Sequence, residues 1–214
     1  TTLFRSNFAS LTTLAANGAH LVIRGDNLGS APGAGVANVF ATTVNSLIGG
    51  TNLPGLANRS VRADILADTS ATGTGLSFAT YLPGLGFQAL GTGEVLGSIT
   101  SMNTATANLS LSGNQSFTTD SVNTLTLESG GGVTGYNNGS ILNLGGVAFL
   151  AKSGNTGFNG GQVSSGGSHF WAYTPGDLTV NSYLINTANG FTKAGVGTLT
   201  LQKAMFTIGT HFIN

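Results

Sequence analysis

The sequence of residues 189–201 is Asn189-Gly190-Phe191-Thr192-Lys193-Ala194-Gly195-Val196-Gly197-Thr198-Leu199-Thr200-Leu201. Its glycines and its asparagine suit a turn, because both residue types accept the positive φ angles of tight corners. Leu199 and Leu201 then alternate with threonine, which is the period of a β-strand with one apolar face. The stretch therefore predicts a glycine-punctuated turn that leads into a short strand, as in one rung of a stacked β-structure.

The same alternation recurs along the chain. Six further segments place Leu, Val or Ile on one face and Thr, Ser or Asn on the other: 20–24, 107–112, 122–127, 141–144, 177–180 and 205–208. Helical periodicity is nearly missing, because the runs between glycines are too short and too rich in Thr, Val and Ser to sustain a 3.6-residue stripe. The chain is therefore predicted to be all-β.

A repeated strand favours a solenoid over a sandwich, although the glycine turns alone suit both. The pattern x-Leu-Thr-[Leu/Val] occurs at 124–127, 177–180 and 198–201, and the last two copies are 21 residues apart. That spacing is about one turn of a β-helix. We expect one elongated parallel β-helix, or β-solenoid, over residues 1–214, with less regular, turn-rich rungs in 1–100 and more regular rungs in 101–214. Eight to ten rungs spaced by about 4.8 Å would form a rod of roughly 40–50 Å.

Composition narrows the function classes. Charged residues make up only 7% of the 214 residues, against about 25% in ordinary domains, whereas hydrophobic residues at 40% are enough for a folded core. The net charge is zero and the basic residues are scattered, which argues against nucleic-acid binding. The chain lacks cysteine and has no apolar run of about 18 residues, so no transmembrane segment is expected. It begins with neither Met nor a signal peptide, as expected of a processed or excerpted piece.

Residues 189–201 resemble the signature NGxTKxGxGTLTL of the autotransporter-associated β-strand repeat, and segments 25–40, 68–81 and 176–182 resemble other parts of such proteins. The resemblance covers roughly residues 20–205 in patches. This family occurs in large exported passenger proteins of bacterial surfaces. It implies a scaffold rather than an enzyme, and an extracellular or cell-surface location.

Catalytic, metal and cofactor motifs are absent from the sequence. Asp64 and Asp68 would lie about 13 Å apart along one strand face, too far for a paired-carboxylate site, and we expect them on a solvated strand edge. The glycines of 130–135 precede no helix that would hold a pyrophosphate. The three histidines lack the spacing of a zinc site or a triad. We therefore expect no catalytic residue, no metal and no cofactor.

The segment from His169 to Tyr173 is the one candidate for ligand contact. Exposed aromatic planes on a β-surface stack on sugar rings, so His169, Trp171 and Tyr173 are the predicted glycan contacts. A structural cap or core filler is the competing interpretation, and Phe170 and Trp171 must face opposite sides of a strand.

The leading hypothesis is a structural, non-catalytic β-solenoid module of a cell surface, acting as a stalk, adhesin scaffold or fibre subunit. Since neither terminus carries a polar cap, we expect either end-to-end self-association or continuation into neighbouring repeats. The alternative is a β-helix that binds or degrades a polysaccharide, with surface glycans as partners.

Overall fold

The structure, a computed structural model, describes residues 4–11, 18–45, 47–99, 105–187 and 189–214. Within these ranges the chain is all-β, with no α-helix and one 3-10 turn at Thr92–Glu94. The strands are β1 Phe4–Phe8, β2 Leu21–Arg24, β3 Ala37–Ala41, β4 Arg62–Asp68, β5 Leu76–Leu82, β6 Gly86–Ala89, β7 Asn108–Leu111, β8 Asn114–Phe117, β9 Thr119–Leu127, β10 Gly132–Gly135, β11 Ile141–Ala151, β12 Gly157–Ser164, β13 Phe170–Tyr173, β14 Leu178–Thr187, β15 Phe191–Ala194, β16 Leu199–Leu201, β17 Met205–Thr207 and β18 His211–Ile213.

Strands β7 to β18 form a parallel β-solenoid, which confirms the predicted fold class. Each turn of the coil contributes a segment to each of three parallel faces. Face 1 contains β7, residues 124–127 of β9, residues 148–151 of β11, β13, β15 and β18. Face 2 contains β8, β10, residues 157–159 of β12, residues 178–181 of β14, and β16. Face 3 contains residues 119–122 of β9, residues 141–144 of β11, residues 162–164 of β12, residues 183–185 of β14, and β17.

Residues 189–201 form a corner of the last rung, between face 1 and face 2. The sequence predicted one strand here, but residues 191–194 form a second strand, β15, before the corner. Gly195 occupies this corner with φ +107°, and a Cβ there would lie 2.6 Å from the carbonyl oxygen of Thr174. Only glycine avoids both the strained backbone and this overlap.

The 21-residue repeat is confirmed as the spacing of neighbouring rungs. Leu178 stacks directly on Leu199, and Val180 stacks on Leu201. The third copy of the motif, at 124–127, lies on face 1 instead, where it pairs with β7 and β11. The pattern therefore marks a strand that faces the core, whichever face carries it.

The coil has about five turns, so the expectation of eight to ten rungs is wrong. The earlier rungs vary in length, since 16 residues separate the stacked Leu109 and Leu125 and 24 separate Leu125 and Phe149. Residues 62–89 also stay outside the stack, because β4, β5 and β6 pair antiparallel. The tight turn between β5 and β6, with Gly84 and Gly86 at positive φ, makes a hairpin rather than a solenoid corner.

The interior of the solenoid is apolar and continuous from rung to rung. Leu and Val side chains from all three faces fill it together with a run of phenylalanines. The rings of Phe149, Phe170 and Phe191 follow one another along face 1 at centroid distances of 5.3 and 6.1 Å. His211 continues this run on the last rung, 6.5 Å from Phe191. Inward side chains of the middle rungs thus pack on the rungs before and after them.

A second core lies between the amino-terminal half, which is the described part of residues 4–99, and the outer side of face 1. The sheet β2-β4-β5-β6 contributes Leu66 and Phe78, and face 1 contributes Leu150, Trp171 and Tyr173. Because of this cover, the outward side chains of face 1 are buried although they point away from the coil. Face 1 therefore lies between two cores and contributes side chains to both.

Candidate functional site

The predicted glycan contacts lie in this second core. His169, Trp171 and Tyr173 expose only 6%, 4% and 2% of their surface. Trp171 and Tyr173 pack against the amino-terminal half, while Phe170 points into the solenoid, as strand alternation required. A sugar ring has no exposed aromatic face to stack on here. The core-filler interpretation therefore describes the positions of these side chains.

Hydrogen bonds hold two of these side chains in place. The Tyr173 hydroxyl donates to the carbonyl oxygen of Ala63 at 2.8 Å. Burial raises the pKa of the Tyr173 phenol well above its ordinary value of 10.0, and the Asp64 carboxylate adds to this against the opposing charge of Arg62. The His169 ring contacts the carbonyl oxygen of Asn189 through Nδ1 at 2.9 Å and the Thr192 hydroxyl through Nε2 at 2.7 Å. These contacts tie β13 and the residue before it to β4 of the amino-terminal sheet and to β15 of the next rung.

Asp64 and Asp68 are buried, which contradicts the expected solvated strand edge. Arg62 donates to both carboxylate oxygens of Asp64, each at 2.8 Å, and both side chains are almost fully enclosed. Asp68 accepts from Arg24 at 2.8 Å and from the backbone and hydroxyl of Ser70. Each carboxylate thus has its own cation, and the two do not form a paired-carboxylate site.

A third buried ion pair was not predicted from the sequence. Arg59 donates to Glu94 at 2.5 Å, to Thr80 at 2.9 Å and to Gln88 at 2.9 Å. Glu94 also accepts the backbone amides of Gly55 and Gly91, each at 3.0 Å. Every charge in this network is satisfied, and it fastens the loop after β6 to the loop before β4.

The carboxyl-terminal rung of the solenoid is open. Strands β16, β17 and β18 each pair with one neighbour only, so the other edge of all three faces is free of described residues. The inner side chains of this rung line a cavity of about 420 Å³ that opens outward, among them Leu199, Leu201, Met205, His211 and Ile213. Ile213 is 76% exposed and Leu201 is 39% exposed. Core-type side chains therefore meet solvent at this end.

The first rung is covered on face 1 by the chain itself. Leu96 forms a parallel bridge with Leu109 of β7, and the backbone amide of Asn108 donates to the carbonyl oxygen of Ala57 at 2.7 Å. The Asn108 side chain donates to the carbonyl oxygen of Arg59 at 2.8 Å. The two ends of face 1 thus differ: one is hydrogen-bonded to the amino-terminal half and the other is an open edge.

The described ranges contain neither a cluster of metal ligands nor a membrane-spanning helix. No three His, Cys, Asp or Glu side chains come together there as metal ligands. In the same ranges, no helix has the length and apolar character needed to span a bilayer. Comparison of the chain with family models, with curated proteins and with solved structures gave no match.

Proposed function

We propose that the chain is a structural, non-catalytic β-solenoid module whose open carboxyl-terminal rung receives a further rung. The observation that carries the proposal is the exposure of inward-facing side chains on β16 and β18 beside three unpaired strand edges. Unpaired edges are templates for strand pairing, and exposed core side chains gain about 25 cal/mol per Å² when they are covered. A rung of the same kind satisfies both requirements.

The added rung comes either from neighbouring repeats of the same chain or from another copy. In the first case the module is part of a stalk or adhesin scaffold, and in the second it is a fibre subunit. The resemblance of residues 189–201 to the autotransporter-associated repeat supports the first case, because those residues include β16 of the open rung and lead directly into it. The same resemblance supports an exported protein at a bacterial cell surface.

Electron microscopy and sedimentation across a concentration series test the role of the open rung. We expect end-on association of the purified chain, visible as particles that lengthen along the solenoid axis. Ile213→Lys should abolish this association, since it places a charge on the inner side of the open edge. Val196→Lys is the matched control, because Val196 is 97% exposed and does not line the cavity of the open rung.

Two outcomes separate the cases. Association that Ile213→Lys removes and Val196→Lys leaves intact supports the fibre subunit. Monomers at every concentration exclude the fibre subunit and leave a module that is extended by rungs of its own chain.

A further inference from the structure

A cleft runs between the amino-terminal half and the solenoid, at the corner where face 1 ends. It has a volume of about 370 Å³, within the range of small-molecule sites. One wall comes from β5 and the loop after β6, and the other from β7, β9 and the residues after β9 and β11. The cleft is distinct from the open rung and from the buried aromatic cluster.

An ion pair forms the polar end of the cleft. Lys152 donates to Oε1 of Glu128 at 2.9 Å, and the Ser110 hydroxyl donates to the same oxygen at 3.0 Å. The side chains of Lys152 and Glu128 are 29% and 34% exposed, so both reach the cleft. Their backbone amides bond to the neighbouring rungs at 2.9 Å each, which fixes their positions. The second carboxylate oxygen, Oε2, accepts no hydrogen bond from the described residues.

Unpaired hydroxyls line the rest of the cleft. Thr69, Ser77, Thr92 and Thr126 contribute side chains whose oxygens make no hydrogen bond to the described part of the chain. Each hydroxyl can both donate and accept, and the Lys152 ammonium has donors to spare. Leu90 contributes apolar surface to the same walls. The cleft therefore offers both hydrogen-bonding roles next to an apolar surface.

The charges of the lining decide the class of ligand. Lys152 and Glu128 are its charged residues and they cancel, so an anion or a cation gains no net attraction. A neutral ligand that carries several hydroxyls, each able to donate and accept, on an apolar framework matches this lining. From this arrangement we infer that the cleft binds a short neutral saccharide, at a place other than the aromatic contacts predicted from the sequence.

An NMR titration of the uniformly ¹⁵N-labelled chain tests this inference. Maltotriose, cellotriose, mannotriose and chitotriose are added separately, with trigalacturonate as an acidic probe. We expect at least one neutral trisaccharide to cause saturable shifts in the amides of Ser77, Gly91 and Thr92. Glu128→Gln should weaken that binding about tenfold, since a hydrogen bond to a charged group is lost. Thr92→Val should also weaken it.

Thr200→Val is the control, because Thr200 is exposed, makes no hydrogen bond to the described residues and lies on β16, away from the cleft. Thermal unfolding of each variant establishes that it is folded. The inference is overturned if no neutral trisaccharide gives saturable shifts, if the shifts lie elsewhere, or if Thr92→Val and Thr200→Val bind equally. Tighter binding of trigalacturonate than of every neutral probe would also overturn it. A failure here leaves the role of the open rung intact, because the two sites share no residue.

Discussion

At the scale of single residues, six of the chain's fourteen charged side chains pair with each other inside or against the folded core. Three of its ion pairs contain a carboxylate that is nearly or fully buried. The pairing of Arg62 with Asp64 could be predicted from the sequence, since residues two apart share one face of a strand. Arg24 and Asp68, by contrast, are 44 residues apart in sequence. No pattern along the chain reveals that pair, because the parallel pairing of β2 with β4 creates it.

Removing one partner of the Arg62 and Asp64 pair should be costly. Asp64→Asn leaves the Arg62 guanidinium enclosed without a counter-charge, and we expect a loss of about 3–5 kcal/mol in the free energy of unfolding. Glu128→Gln, in a partly exposed pair, should cost at most about 1 kcal/mol. Urea denaturation measures both. Equal midpoints for the two variants would contradict the structural role given to the buried pair.

The stability contributed by Asp68 should depend on pH. Burial alone raises the pKa of this carboxyl, but hydrogen bonds from Ser70, Arg24 and Gly75 together lower it below its ordinary value of 3.8. The folded state therefore binds the proton less tightly than the unfolded state, so the contribution is complete above pH 3.8 and is lost as the pH falls through the lower, folded-state pKa. Asp68→Asn removes it at every pH.

Urea midpoints of the wild type and of Asp68→Asn, measured from neutral pH to well below 3.8, give the check. The difference between the two proteins should shrink as the pH falls. A difference that stays constant over this range would mean that the ionised carboxylate does not contribute through its hydrogen bonds.

At the scale of elements, the sequence predicts strands well and their partners poorly. All seven segments chosen by alternation contain a strand, because a buried inward face imposes a two-residue period. Period alone does not say which sheet a strand joins, so β4 to β6 were expected in the stack and form an antiparallel sheet instead. Alternation also marked Thr124 and Thr126 as a polar face, yet both are buried under the amino-terminal half. Their cover comes from residues far away in sequence, as does the burial of Trp171.

The stacked copies of the Leu-Thr motif allow a direct test of how rungs stabilise each other. Leu178 is 2% exposed between two rungs, whereas Leu199 packs on one rung only. Leu178→Ala should lower the free energy of unfolding by about 2–5 kcal/mol, in the range of core truncations. Leu199→Ala should cost clearly less, because solvent already reaches that site. Chemical denaturation of both variants measures the two losses in the free energy of unfolding. Equal losses would mean that the last rung is covered in solution.

At the scale of the whole molecule, the open last rung of the solenoid should be less stable than the rungs in its middle. Repeat structures gain stability from contacts between neighbouring rungs, so a rung with one neighbour opens more easily than a rung with two. The amides of β16, β17 and β18 should therefore exchange with solvent fastest, and those of β11 and β13 slowest, because the latter have rungs on both sides and lie against the second core. Hydrogen exchange read by NMR at low protein concentration measures this gradient, and Leu178→Ala should extend the fast-exchanging region inward from the open end. Uniform protection over β7 to β18 would instead show that the coil opens as one unit. The last rung would then lack the local freedom that we expect of an edge at which a further rung docks.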